Sequence, residues 1–105
     1  MHVHHLVILA AAFSVSGNAL ADDGAALANS HNCLTCHSVD SKKLGPSLKD
    51  VAAKYKDDKN AQAMLEKKVR SGGGGNWGKM PMPATAQSVS DADIKTIVQW
   101  VMSLK

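Results

Sequence analysis

Five consecutive residues constrain this chain more than any other stretch: Cys33-Leu34-Thr35-Cys36-His37. Two thiols three positions apart in a short turn can each form a thioether to one vinyl group of a single haem. The adjacent His37 is then held against the ring face, where a ring nitrogen can ligate the iron. The chain has two cysteines, so the motif uses both. Other readings compete. A thioredoxin-like redox pair expects a βαβ surround, and no such strand pattern is present. A zinc site needs four ligands, usually as two separated pairs. Only His31 is near enough to be a fourth, and one short contiguous run would have to close a tetrahedron on itself. A chance occurrence of the pentapeptide is the remaining reading, and the rest of the chain argues against it.

The residues before the motif divide in two. Leu6 to Val15 is an apolar run broken only by Ser14, Gly17-Asn18 follows, and Ala19-Leu20-Ala21 precedes the acidic pair Asp22-Asp23. This is the layout of a secretory signal peptide with an A-x-A-like cleavage site. The first five residues carry histidines where lysine or arginine is usual. The apolar run is far short of the ~20 residues a membrane span needs. Residues 1–21 are therefore expected to be a cleaved leader, 22–105 the mature domain, and the periplasm its destination. A domain so small buries little apolar surface and usually needs a staple. A disulfide between Cys33 and Cys36 would close only a tiny loop; a covalent haem supplies a core around which short helices can pack.

The formal charge of +3 lies entirely in the mature part, since residues 1–21 contain no Asp, Glu, Lys or Arg. A mildly basic, lysine-rich surface suits either solvation or the steering of an acidic partner. Nucleic-acid binding is not expected, because the lysines are scattered and only Tyr55, Trp77 and Trp100 remain as aromatics beyond the leader.

Four helices are expected, with no β-strand. The first covers Gly24 to Asn32, capped by Asp22 or Asp23, and leads directly into the haem motif. His31 at its end is read as a bystander. After the polar loop Ser38 to Leu44 and the Gly45-Pro46 turn signal, a second helix covers Ser47 to Tyr55. A third runs from Asn60 to Ser71, with Ala61, Met64, Leu65, Lys68 and Val69 on one face; Met64 is read as core. Gly72 to Gly75 stop that helix and are expected to let the backbone run close to a flat cofactor. Ser90-Asp91-Ala92-Asp93 is a capping box. It opens the fourth helix, whose stripe is Ile94, Ile97, Val98, Val101 and Leu104, with Trp100 at the margin facing the first helix.

Between the glycines and the last helix lies Asn76-Trp77-Gly78-Lys79-Met80-Pro81-Met82-Pro83. Prolines on both sides of Met82 fix it in an extended form, a rigid presentation that an axial thioether requires. Met80 and Met82 lie two apart in one proline-restrained segment, so only one can face the iron. Rigidity favours Met82, because Met80 follows the mobile Gly78.

Taken together, C-L-T-C-H, G-P, W-G-K-M-P-M-P and the C-terminal Q-W-V-M-S-L-K resemble the small bacterial class I cytochromes c. The match is to the monohaem c-551/c-552 type that donates electrons to a nitrite reductase or terminal oxidase. The resemblance covers residues 22 to 105. It implies an all-α class I cytochrome c fold of about four short helices around one covalently bound haem c. It further implies thioethers at Cys33 and Cys36, His37 and Met82 as axial iron ligands, and a Pro46 carbonyl that accepts a hydrogen bond from His37. Trp77 matches a tryptophan that reaches a haem propionate. Two departures stand out. Lys68 replaces a propionate-binding arginine, and no amide follows a second proline after Met82. That leaves Thr85 and Gln87 both open as the polar neighbour of the sulfur.

With both axial positions filled, the expected function is one-electron transfer and not catalysis. The partners expected are redox proteins: an acceptor with an acidic docking patch and an upstream quinol-oxidising complex. Lys42, Lys43 and Lys79 are expected near the exposed haem edge. Stable membrane insertion is not expected, and the chain is expected to act as a monomer. A peroxidase, sensor or gas-binding protein would need a displaceable sixth ligand, and a haem-carrying assembly subunit is a third class.

Overall fold

The computed structural model describes residues 19–105; residues 1–18, the body of the expected leader, lie outside it. Five helices follow in order: α1 (Ala19–Ser30), α2 (Cys33–Cys36), α3 (Leu48–Tyr55), α4 (Ala61–Ser71) and α5 (Asp91–Ser103). Among the described residues the only extended pairing is an isolated antiparallel bridge, Gly73 with Met82. The architecture is the expected all-α one. The fifth helix arises because the haem motif itself forms a helical turn and not an irregular loop.

Each boundary has a local cause. At the end of α1 the His31 amide donates to the Leu27 carbonyl at 2.9 Å and the Asn32 amide to Asn29 at 3.2 Å. Asn32 then turns the chain with φ 66°, a left-handed conformation that asparagine tolerates better than most residues. The turn allows α2 to start at Cys33. The caps of α3 and α5 follow one pattern: Ser47 accepts from the Asp50 amide at 3.1 Å, and Ser90 from the Asp93 amide at 3.0 Å. Each such cap contributes about 1 kcal/mol. Helix α1 ends two residues short of the expected Asn32.

The core lies where α1, α3 and α5 meet: Ala28, Leu48, Val51, Ile97, Trp100 and Val101 are buried in one cluster. A second cluster, Val89, Ile94 and Val98, closes against Leu65, Val69 and Met102. Trp100 belongs to the first cluster at 8% exposure, nearer the centre than the margin the periodicity assigned. It gets there because α1 crosses α5 at Gly24. A methyl group on Gly24 would overlap the Trp100 Cβ and come within 3.0 Å of the Thr96 carbonyl oxygen. The absent side chain is what lets the two helices approach.

Candidate haem site

A cavity of about 590 Å³ opens between α3, α4, α5 and the two loops that carry the sequence's chemistry. That volume lies inside the ~300–1,000 Å³ typical of cofactor sites. Cys33, Cys36 and His37 border it, as do Pro46, Lys68, Trp77 and Met82, so all seven residues singled out from the sequence meet in one place. Aliphatic side chains, among them Leu48, Leu65, Val69 and Ile97, supply much of its lining.

Both cysteines are half-buried. Burial pushes the Cys33 thiol above its ordinary value; a backbone hydrogen bond works against this and the neighbouring Cys36 adds to it. The His37 amide closes the turn on the Cys33 carbonyl at 3.0 Å. Its ring nitrogen Nδ1 lies 2.8 Å from the Pro46 carbonyl oxygen. A carbonyl can only accept, so Nδ1 carries a proton, and Nε2 is the nitrogen left to serve as a ligand. Gly45 packs flat against the same ring: a Cβ there would stand 2.7 Å from His37 Cε1 and 3.0 Å from Nδ1. The loop is tied back to the motif, with the Gly45 amide on the Cys36 carbonyl at 2.9 Å and Lys43 Nζ on the Leu34 carbonyl at 3.2 Å.

On the other wall Met82 is fixed through its backbone. Its amide donates to Gly73 at 2.8 Å and its carbonyl accepts from Gly73 at 2.9 Å. Gly72, at φ 69°, lies directly under the Met82–Ala84 backbone, leaving no room for a Cβ. That glycine is therefore demanded by the approach of the methionine segment itself, a different reason from the passage along a flat cofactor that composition suggested. Three residues on, Thr85 donates its hydroxyl to the Val69 carbonyl at 2.7 Å. A hydroxyl has one proton to give, so of the two candidates for the methionine sulfur Thr85 is already engaged.

Other side chains define the surroundings of the site, and of these Met64 departs from expectation. Met64 is 38% exposed and borders the cavity, so it is wall and not core. Met80 is 62% exposed and borders the cavity too. His31 places Nε2 3.1 Å from Asp93 Oδ2, joining the end of α1 to the start of α5. Trp77 carries the Lys54 ammonium 4.5 Å from its ring centroid, and Lys54 Nζ also donates to the Asn76 carbonyl at 3.3 Å.

A family model described as cytochrome c matches residues 21–105. The chain belongs to the cytochrome c family. It is 47% identical over 96 residues to cytochrome c-552 of Nitrosomonas europaea, with 91% of this chain and 90% of that one aligned. With cytochrome c-551 of Allochromatium vinosum it shares 50% over 93 residues, 89% of this chain and 96% of that one. The crystal structure of the Nitrosomonas europaea protein superposes with a TM-score of 0.74 over 77% of this chain and 99% of that one. The class 1 cytochrome MtoD of Sideroxydans lithotrophicus, 36% identical, gives 0.67 over 79% and 94%.

As a small class I c-type cytochrome the protein carries one covalently bound haem c and transfers electrons; it is not an enzyme. The cavity fits that group in its own chemistry: apolar walls for a porphyrin, a pair of cysteines at one edge, and an imidazole whose Nδ1 is engaged by Pro46. Gly45 and Lys54 were not singled out from the sequence for roles at the site, and Gly72 was singled out for a different one. Gly45-Pro46 did carry a signal, but it reads as a turn and not as a seat for the imidazole.

Proposed function

We propose that this cytochrome is an exported periplasmic one-electron carrier that donates to a nitrite reductase or terminal oxidase. In this reading residues 1–21 are the leader, Cys33 and Cys36 hold the haem through thioethers, and His37 and Met82 are its axial ligands. The observation that carries it is the fixation of both walls. The Pro46 carbonyl orients His37, and the paired bonds to Gly73 hold the Met82 backbone at the same cavity. A hydrogen bond to the far nitrogen fixes ring orientation and raises ligand basicity. The haem supplies reversible ferric–ferrous exchange. The protein's part is to keep both axial donors in place in either state, which excludes exogenous ligands and keeps reorganisation small.

Lys68 and Trp77 border the cavity and are assigned to the haem propionates, Lys68 as a point charge where an arginine would be bidentate. Lys54 braces the Trp77 ring through the cation–π contact. Lys43 is held beside the haem motif by its bond to Leu34 and contributes to a positive rim toward an acidic acceptor. Among the described residues no helix is long and apolar enough to cross a membrane.

The test is a comparison of Met82→Ala with Met80→Ala. Met82→Ala is expected to abolish the long-wavelength methionine–iron charge-transfer band, lower the potential and open the ferrous iron to carbon monoxide. Met80→Ala is expected to keep the band. The reverse behaviour would overturn the ligand assignment, and rapid carbon monoxide binding by the unaltered protein would favour a gas-binding function.

A further inference from the structure

The segment from Met82 to the start of α5 has no regular structure beyond the bridge at Met82, yet it is tied at several points to one place, the last turn of α4. A helix ends with carbonyls that have no partner within it. In α4 the Lys68 carbonyl accepts from the Gly72 amide at 2.7 Å, and the Val69 carbonyl accepts from the Thr85 amide at 3.2 Å and the Thr85 hydroxyl at 2.7 Å. The next residue, Arg70, reaches along the same segment. Its Nη1 donates to the Ala86 carbonyl at 3.1 Å and its Nη2 to the Val89 carbonyl at 2.6 Å. Nε and Nη2 both donate to Asp91 Oδ1, at 3.2 and 2.6 Å.

Burial separates the bonds that matter from those that do not. The Arg70 side chain is 20% exposed, whereas the Asp91 side chain is 94% exposed. The ion pair therefore faces water and contributes little. The two carbonyl bonds are charge-assisted, the stronger class, and the one to Val89 is partly buried. Only a guanidinium, with its planar fork of donors, can hold two carbonyls three residues apart and a carboxylate together.

From these contacts we infer that Arg70 and Thr85 are positioning residues for the sixth iron ligand, keeping the Met82 thioether seated by fastening the loop behind it to α4. This rests on the assignment of Met82 as that ligand. Neither side chain acts on the iron; each acts on how often the loop lifts away. If the open form is a minor population, the apparent affinity of an outside ligand is reduced by that fraction. Loosening the loop raises the fraction and the affinity together.

The experiment uses the purified holoprotein and two probes, imidazole added to the ferric form and carbon monoxide to the ferrous form. The variants are Arg70→Met, Arg70→Lys, Thr85→Val and Asp91→Asn. His31→Ala serves as a remote control that removes the hydrogen bond with Asp93. Arg70→Met and Thr85→Val are expected to raise imidazole affinity and carbon monoxide association by roughly tenfold, the factor that ~1.4 kcal/mol represents. The methionine–iron band should persist when no ligand is added. Arg70→Lys should recover part of the loss. Asp91→Asn and His31→Ala should stay within about twofold of the unaltered protein, even where His31→Ala lowers the melting temperature. The inference is overturned if Arg70→Met and Thr85→Val lower the melting temperature but leave both ligand measurements unchanged. It falls together with the ligand assignment if Met82→Ala, made in parallel, keeps the band. Loss of the band in Met82→Ala with no effect of the loop variants sinks the inference alone.

Discussion

His37 shows how much one neighbouring residue can decide. Its Nδ1–H is held by Pro46 at 2.8 Å, and its ring rests on Gly45, where a Cβ would approach Cε1 to 2.7 Å. With His37 as the proximal ligand, Gly45→Ala should push the ring off the Pro46 carbonyl. Losing that bond makes the imidazole a poorer donor to the ferric iron, so the reduction potential should rise. The expected size is on the order of the 59 mV that a tenfold change in relative affinity represents for one electron. Potentiometric titration checks this, and an unchanged or lowered potential would show that the ring keeps its bond or is not the ligand. The cysteine pair and His37 stand out in the sequence as a candidate site because covalent attachment needs contiguous residues. Gly45 was not legible as a seat, because its role depends on where a side chain eight positions earlier comes to lie.

Among the helices, α1 was legible in outline as Gly24 to Asn32 and α5 from its apolar stripe, and the capping box at Ser90 located the start of α5 correctly. What periodicity could not supply was the crossing. Gly24 in α1 meets Trp100 in α5 so closely that a methyl group would overlap it. Two effects oppose each other in Gly24→Ala. Helix propensity favours alanine by about 1 kcal/mol, while overpacking costs about 1–3 kcal/mol and sometimes more. The second should win, because the atom that is met is the Cβ of Trp100 and not the end of a flexible chain. The melting temperature of the holoprotein should fall by several degrees, about 4–8 °C per kcal/mol for a domain this size. The methionine–iron band should stay in place. A melting temperature that rises would mean that α1 shifts along α5 without loss. Met64 illustrates the converse limit. Its position on the α4 stripe reads as core, but that stripe faces the haem cavity as well as α5, so a residue on it can be wall.

At the scale of the molecule, the cavity with its bordering loops is the centre of the fold, and the lysines determine how that centre is presented. Lys43 is anchored beside the haem motif, Lys54 lies over Trp77, and Lys67 and Lys68 border the cavity. If these charges steer an acidic acceptor, the bimolecular electron-transfer rate should fall as ionic strength rises, because the screening length contracts to ~8 Å at 0.15 M. Stopped-flow measurement against an acidic redox protein across a salt series checks this. A rate that is flat or rises with salt would leave the lysines as solubilising groups.

The sequence by itself determined the helical class and the cofactor, and it pointed to the contiguous part of a candidate site. Those depend on short-range features: a pentapeptide, a 3.6-residue period, a cap, prolines flanking a methionine. Tertiary structure decided the rest. It turned Gly72 into a platform for the Met82 backbone, engaged the Thr85 hydroxyl with Val69, and laid Arg70 along the loop behind Met82. The physical reason is that each contact joins α4 to a segment more than nine residues further on. The open carbonyl that Thr85 meets belongs to a helix end, and which distant segment meets such a group, a bare glycine or a guanidinium is set only when the chain has packed.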